Sequence, residues 1–168
     1  MPPGYCWSEA GRIEIDPDEH VVEAIRLVFA KLRELGSARQ VFLWARQVGM
    51  RLPVVQRNLT LCRIEWKAPA YHSVVQILQS PIYAGAYAFG RRGNRMHVVE
   101  RRAHKTSGHR REREDWNVLI RDNHEGYLSW AEFEQNLGLL RENAHMQKRA
   151  ERKAARGGRA LLTGLARC

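Results

Sequence analysis

Two prolines, Pro69 and Pro81, bracket the segment that most constrains how this chain can fold. Pro69 suits the start of a helix, whereas Pro81 must end one, because the residue before a proline is driven out of the helical region. Apolar residues at helical spacing predict that one side of this helix is buried: Tyr71, Val74, Val75 and Leu78. The opposite side is polar and carries no formal charge: His72, Ser73, Gln76 and Gln79.

A strand is predicted directly after this helix. Gly85 supplies a turn, and Tyr87 and Phe89 then alternate with alanines. That alternation is typical of a half-buried strand, and we expect the two aromatic side chains to anchor it to the core. Two more strands are predicted at 97–101 and 116–120. The polar, basic stretch between them, "HKTSGHRRERED", predicts a mobile loop.

Helix start and stop signals predict two helices in the first fifty residues. The run "DPDE" at 16–19 combines an Asp cap, a proline in the first turn and a Glu three residues after the cap. Gly36 ends that helix, Ser37 and Gln40 form a second capping box, and Gly49 ends the second helix. The predicted buried stripes are Val21, Val22, Ile25, Phe29, Leu32 and Leu35 in the first helix, and Val41, Trp44, Ala45 and Val48 in the second.

A fourth helix is predicted to begin at Ser129, with Glu132 completing a capping box. Its buried stripe comprises Trp130, Phe133, Leu137 and Leu140. A basic helical pattern continues through 144–156, Gly157 and Gly158 break it, and a short apolar strand is expected in the residues that follow.

These elements predict an α+β fold that is mainly helical, with a helix-turn-helix-like unit, a small antiparallel sheet and a C-terminal helical arm. A simple helix-turn-helix joins its two helices by three or four residues. Here the connection runs from Gly49 to Pro69, and residues 52–66 predict a hairpin that turns near Asn58. The unit is therefore expected to carry an inserted hairpin.

The charge of the chain points to a polyanionic partner. The net charge is +10 and the isoelectric point is near 10.2. Residues 91–113 hold nine Lys and Arg against two acids and 141–168 hold eight against two, whereas 114–140 are acidic. Because a polar helix precedes the first cationic segment, double-stranded DNA is the predicted partner. The predicted base-reading residues are His72, Ser73, Gln76 and Gln79, and the predicted contacts to backbone phosphates or an adjacent minor groove are Arg91, Arg92, Arg95, Arg101, Arg102 and Lys105.

Two other functional classes stay open at this point. A free-standing basic protein that binds RNA or non-specific DNA, or a free-standing regulatory protein, would have a similar charge. RNA binding, however, favours aromatic side chains that are free to stack on bases. Here the aromatics fall on predicted buried stripes. An enzyme acting on nucleic acid would need a nucleophile with a base or a metal site, and neither is found. The histidines considered for such a site, together with Asp122 and Asn123, lack metal-ligand spacing: His97, His104, His109 and His124.

The sequence also predicts the cellular compartment of the protein and whether it spans a membrane. Three scattered cysteines predict reduced thiols in a cytoplasm rather than a disulfide scaffold. Residues 68–90 carry no formal charge, but prolines, glycines and polar residues interrupt them, so no membrane span is predicted. No cofactor and no catalytic residue are predicted.

The order of these pieces resembles the "recombinase" DNA-binding domain of large serine recombinases and integrases. The matching stretches are "GYCWSEAGRIEIDPDEHVVEAIRLVF", "ILQSPIYAGAYAFGR", "WNVLIRDNHEGYLSWAEFEQN" and "GRALLTGLARC". The hairpin at 52–66 is longer than the loop common in that family, so contacts around Arg57, Arg63 and Lys67 are not carried over from it.

The resemblance implies a DNA-binding module of a serine site-specific recombinase, which recognises part of an attachment-site half-site through the third helix. The family's catalytic serine belongs to a separate N-terminal domain, so this chain alone is expected not to be an enzyme and to meet recombinase subunits through other parts of its parent. The expected organisation is a DNA-binding domain at 1–143, a basic helical arm at 144–158 and the start of a zinc ribbon at 159–168. Cys168 would match the ribbon's first zinc ligand, one of four, so no metal is predicted.

Overall fold

The computed structural model describes residues 1–57, 62–99 and 102–154, and it has the predicted α+β architecture. The helices are α1 (Glu19–Leu35), α2 (Ala38–Gln47), α3 (Tyr71–Leu78) and α4 (Trp130–Ala154). The strands are β1 (Tyr5–Trp7), β2 (Ile13–Ile15), β3 (Leu52–Arg57), β4 (Cys62–Lys67), β5 (Tyr87–Phe89), β6 (Arg92–Val99), β7 (Arg102–Arg110) and β8 (Val118–Ile120). Short 3₁₀ turns follow α3 at Pro81–Ala84 and precede β8 at Arg113–Asp115.

The described strands form antiparallel pairs rather than one small sheet. The pairs are β1 with β2, β3 with β4, β6 with β7, and β5 with β8. The first three join strands that follow each other along the chain. The last brings β5 and β8 together across the whole β6–β7 hairpin. The predicted hairpin at 52–66 is confirmed as β3–β4, and its turn near Asn58 lies outside the described residues.

The core lies between α1, α3, the turn after α3, and the start of α4. Val21, Ile25, Leu32 and Phe133 are completely shielded from solvent, and the predicted stripes of the first and fourth helices are confirmed. In the second helix Val41 and Ala45 are buried as predicted, but Val48 is 56% exposed and follows the end of the helix. The end of α1 is as predicted, since Gly36 takes a left-handed conformation. Its start lies two residues later than predicted: the cap is Asp18 rather than Asp16, the Asp18 carboxylate accepts the His20 backbone N–H, and Pro17 precedes the helix.

One predicted cap is absent and another is present. The Ser37 side chain makes no capping hydrogen bond to α2. At α4, the Ser129 backbone N–H donates to Glu132 Oε2 at 2.9 Å, and the Glu132 backbone N–H donates to Ser129 Oγ at 3.3 Å. The reciprocal pair satisfies two donors that a bare helix end would leave without partners.

The buried side of α3 is rotated relative to the prediction. Val74, Ile77 and Leu78 are buried, whereas Val75 is half-buried and Tyr71 is 51% exposed. Tyr71 is the first residue of the helix, and its ring packs edge-on against Phe42 of α2 at the rim of the core. Ile77 takes the interior place that the prediction gave to the tyrosine.

The alternation of β5 is as predicted, but its two sides are exchanged. Tyr87 and Phe89 are 43% and 60% exposed, whereas Ala86 is buried. The turn before this strand is tightly packed, since a β-carbon at Gly85 would lie 2.5 Å from the His124 carbonyl oxygen.

The predicted mobile loop at 104–115 is wrong over most of its length. Residues 104–110 belong to β7, which pairs with β6, and Arg113–Asp115 form a 3₁₀ turn. Residues 94–97 and 102–108 of this hairpin are exposed and mostly polar, so they lack the apolar alternation that predicts a strand. Backbone hydrogen bonds hold it instead. The strand predicted at 97–101 is the end of β6, and residues 100–101 lie outside the described part.

Two further predictions concern the C-terminal arm. α4 continues as predicted through the basic segment as far as Ala154. Gly157, Gly158 and the strand expected in 159–168 lie outside the described residues.

Candidate nucleic-acid interface

The helix-turn-helix-like unit consists of α2 and α3 packed on each other and on α1. The β3–β4 hairpin occupies the connection, as the sequence predicted. Leu52 at the start of β3 is buried in the core, and Ile64 of β4 packs against it. The inserted hairpin is therefore anchored beside α3 rather than hanging free from the connection.

The polar side of α3 lines an open groove with a volume of about 860 Å³. All four predicted base-reading residues contribute to it: His72, Ser73, Gln76 and Gln79. His72 and Gln76 are exposed, and Ser73 and Gln79 are half-buried. The opposing wall comes from β3 at 52–55 and from residues 1–3. Polar hydrogen-bonding groups thus lie beside apolar surface in a groove open to a large partner.

Arg91 and Arg92 close one end of the groove, so the structure brings two of the predicted phosphate contacts beside α3. Arg91 is half-buried and its Nη2 donates to the Gln79 carbonyl oxygen at 3.2 Å. Its guanidinium also lies 5.6 Å from the centre of the Trp116 ring. A cation beside the last carbonyls of a helix is favourable, and the aromatic face adds to that attraction. Arg91 is consequently held in a defined place.

Arg95, Arg102 and Lys105 lie elsewhere, on the exposed β6–β7 hairpin. In the strand register, Arg95 pairs with Thr106 and Lys105 pairs with Met96. Side chains alternate along a strand, so Arg95 and Arg102 share one face of the hairpin and Lys105 lies on the other. The remaining predicted contact, Arg101, falls outside the described residues. The cationic segment is therefore divided between the groove and two faces of the hairpin.

None of the described residues lining the groove is acidic. Two carboxylates of the acidic segment form ion pairs with arginines at the protein surface. Arg33 Nη1 lies 2.8 Å from Glu132 Oε1, and Arg113 bridges to Glu134 at 2.6 Å. The backbone N–H of Ser129 holds the pKa of Glu132 below its usual range, and the hydrogen bond from Arg113 does the same for the pKa of Glu134. These contacts favour the anionic form of both carboxylates and pair each of them with an arginine.

Three tyrosines hold the N-terminal wall in place. The Tyr83 hydroxyl donates to the Pro3 carbonyl at 2.9 Å, the Tyr127 hydroxyl to Gly4 at 2.6 Å, and the Tyr5 hydroxyl to Ile82 at 2.9 Å. Burial raises the pKa of each phenol, so all three remain protonated donors.

Sequence reasoning did not identify the walls of this groove. Residues 1–3, the apolar part of β3 and Trp116 are brought to α3 by tertiary packing. Trp116 was expected in a strand; it instead lies just before β8, with its indole N–H donating to the Arg111 carbonyl. The isolated tryptophan that follows two acidic residues was the only signal available.

Within 1–57, 62–99 and 102–154, no three His, Cys, Asp or Glu side chains are grouped so that they could hold a metal ion. Cys168 lies outside those ranges. Among the helices described, none is both long and apolar enough to cross a membrane.

Comparison with known proteins shows similar solved structures and a similar sequence. A Sinorhizobium fredii (strain NBRC 101917 / NGR234) protein, "Uncharacterized protein y4bA/y4pH", is 35% identical over 145 residues, covering 86% of this chain. The chain spans 20% of that relative's length. A structure described as a LSR–DNA complex has a TM-score of 0.48 at 14% identity, covering 82% of this chain and 30% of that one. A second structure, described as "Sequence Requirements of the Listeria innocua prophage attP site", has a TM-score of 0.49 at 14% identity. The match covers 82% of this chain and 40% of that one.

A protein-family model described as Recombinase matches residues 19–143. The match takes in α1, α2, α3, the strands β3 to β8 and the first half of α4, which is most of the chain. It confirms the family that the sequence motifs indicated. The chain belongs to the Recombinase family.

Proposed function

We propose that this chain binds duplex DNA site-specifically, as the DNA-binding module of a serine site-specific recombinase, and has no catalytic activity of its own. Membership of the Recombinase family supports the assignment of this module to a recombinase. The observation that carries the binding proposal is the groove along α3. There, an uncharged polar helix face lies beside two arginines, and none of the described lining residues is acidic.

In this proposal, α3 reads base edges in the major groove. An eight-residue helix is about 12 Å long, close to the width of the major groove of B-DNA. Gln76 is exposed at its centre and offers both a donor and an acceptor, which matches the edge of an adenine. His72 lies one turn earlier, and Ser73 and Gln79 complete the set at the sides of the groove.

The arginines would position the duplex rather than read it. Arg91 and Arg92 at the end of the groove are suited to a phosphate of the strand beside α3. The hairpin residues would contact phosphates further along the duplex or enter its minor groove: Arg95, Arg101, Arg102 and Lys105. Such contacts make binding weaken steeply as salt concentration rises.

The rest of the proposal concerns organisation. We assign the DNA-binding domain to 1–143, a basic helical arm to 144–158 and the start of a zinc ribbon to 159–168, with Cys168 as its first ligand. The parent protein would be a cytoplasmic recombinase whose other parts provide catalysis and contact neighbouring subunits. The match of the family model to 19–143 supports the first boundary.

The test is selection of preferred sites from a pool of randomised duplexes at moderate salt, followed by competition between a selected duplex and its scrambled version. We expect the selected duplex to bind at least about 100-fold more tightly. Equal affinity for both would remove site recognition. Cleavage of either duplex by the chain alone with a divalent cation would contradict the non-catalytic assignment.

A second candidate, a basic protein that binds single-stranded RNA, has one observation in its favour. Tyr87 and Phe89 are exposed on β5 rather than buried, and exposed aromatics on strands can stack on unpaired bases. Competition of the selected duplex with a random single-stranded RNA of equal length separates the two. Stronger binding to the RNA, reduced by Phe89→Ala, would favour this second function.

A further inference from the structure

The two faces of the β6–β7 hairpin differ in chemistry. The strand register places His97 directly opposite His104, and Arg95 opposite Thr106. Because alternate residues share a face, Arg102 lies on this same side. The other side carries Met96, which is 67% exposed, and Lys105. One face is therefore rich in histidine and arginine, and the other is mixed.

A third histidine reaches the first face across a bulge. The register shifts at Gly93 and Arg95, and Gly108 on the facing strand has a positive φ of 84°. The shift directs His109 towards the other imidazoles: its ring lies 6.4 Å from that of His97, and its Nε2 lies 2.7 Å from Thr106 Oγ1. We call this surface the histidine face, and it comprises Arg95, His97, Arg102, His104, Thr106 and His109.

The surroundings of the histidine face are cationic. The strands at 92–99 and 102–110 contain no acid, and the charged groups on this face are Arg95 and Arg102. The segment that packs against the base of the hairpin adds another cation, since the Arg111 side chain lies against Gly93. With all but His109 exposed, the face offers arginines and imidazoles to a polyanion, and the described residues of the two strands include no carboxylate to neutralise them.

We propose that the histidine face is a phosphate-binding surface for duplex DNA, in which His97, His104 and His109 act as proton-dependent contacts beside Arg95 and Arg102. The inference rests on the proposed DNA-binding function and adds residues to it. Histidine side chains change charge between pH 5 and 8. A nearby phosphate favours the imidazolium, so protonation and binding strengthen each other.

The sign of the effect follows from that linkage. Binding raises the proton affinity of the imidazoles, so the gain in DNA affinity is fully present in mildly acidic solution. It is lost as pH rises through the range in which the bound imidazoles release their protons. Lys and Arg contacts do not change over that range, because both side chains stay charged well above it.

The experiment measures the dissociation constant for a random-sequence duplex at pH 6 and pH 8, at one fixed ionic strength. We expect the unmodified chain to bind about tenfold more tightly at pH 6. The triple variant His97→Gln/His104→Gln/His109→Gln should keep its affinity at pH 8 and lose most of the gain at pH 6. His20→Gln, on the exposed side of α1, is the matched control and should retain the full gain.

A second variant, Arg95→Gln/Arg102→Gln, should bind more weakly at both pH values while keeping the gain at pH 6. If the triple variant retains the tenfold gain, the proton-dependent contact is elsewhere, with His72 in the groove the alternative source, and the inference is overturned. Tight binding that does not vary with pH also overturns it and leaves the proposed function standing. Failure to bind duplex at either pH would overturn the proposed function itself.

Discussion

The α3 groove and the β6–β7 hairpin are both candidate contacts for DNA, yet they are constructed in opposite ways. The buried side chains of Val74, Ile77 and Leu78 pack α3 against the core, so the polar side of the helix stays at the surface. The hairpin is exposed over most of its described length and is held by pairing between its own strands. A surface backed by a core presents side chains in fixed positions, which suits reading of bases. An exposed ribbon can follow a backbone and suits phosphate contact.

The largest contrast is expected from introducing the same charge into each region. Val74→Asp places a carboxylate where the side chain is completely buried, and we expect a loss of roughly 4 kcal/mol or more in the free energy of unfolding. Met96→Asp, on the exposed hairpin, should change it by less than about 0.5 kcal/mol. Urea unfolding followed by circular dichroism measures both. Similar losses would mean that the hairpin is part of the core structure.

The two regions should also differ in their response to a β-carbon at a glycine with positive φ. The new β-carbon of Gly85→Ala would lie 2.5 Å from the His124 carbonyl oxygen, so backbone strain from the positive φ and steric overlap combine. We expect a loss of about 2–3 kcal/mol in the free energy of unfolding. Gly108→Ala has open space around it, and strain alone should cost about 1 kcal/mol. Thermal unfolding of the two variants compares them directly, and equal losses would contradict the close approach at residue 85.

Replacing residues at the groove should separate reading from positioning. Gln76→Ala removes a paired donor and acceptor, so discrimination between the selected and scrambled duplexes should fall by about 1–2 kcal/mol. Arg92→Ala, the matched control, should weaken binding to both duplexes alike and reduce the slope of log affinity against log salt by about 0.9. Competition binding at several salt concentrations measures both effects. The division of roles fails if the two variants behave identically.

The smallest expected effect concerns acid stability at the start of α4. The pKa of Glu132 is lowered in the folded state, so its contribution is present above the unfolded value and is lost as pH falls through the folded one. Glu132→Gln can keep the capping hydrogen bonds but removes the negative charge at the helix start and the solvent-screened ion pair with Arg33. It should therefore lower stability at pH 7 by only about 0.5 kcal/mol, and by less near pH 3. Thermal unfolding between those pH values tests this. Glu125→Gln, at an exposed position before the helix, is the control and should show no such trend.

Residues near one another in the chain were predicted well. The capping box of Ser129 and Glu132, the left-handed Gly36 and the buried stripe of α1 depend on spacing within one helix, and spacing is visible in the sequence. Tyr71 was assigned to the wrong side because an apolar residue in the first helical turn can be left at the edge of a core. The strand at 104–110 was missed because side chains on both faces of the β6–β7 hairpin are mostly polar and exposed.

The four residues at the candidate reading surface were found from the sequence because they are what an amphipathic helix leaves exposed. Their neighbours in the groove were not predictable in the same way. Arg91 is close to Gln79 because a 3₁₀ turn and a short strand reverse the chain between them. Trp116 reaches Arg91 only because β8 returns to pair with β5 across the hairpin.

The sequence by itself determined the helices, the polar side of α3, the separation of acidic and basic segments, and the family. These follow from local propensity, helical spacing and residue type, which act over a few positions of the chain. Only the tertiary structure decided that Tyr87 and Phe89 of β5 face solvent, that the polar basic stretch pairs with β6, and that Arg91 and Trp116 meet α3. Those outcomes depend on which distant segments come together and on the space left between them, and neither quantity is carried by any single stretch of residues.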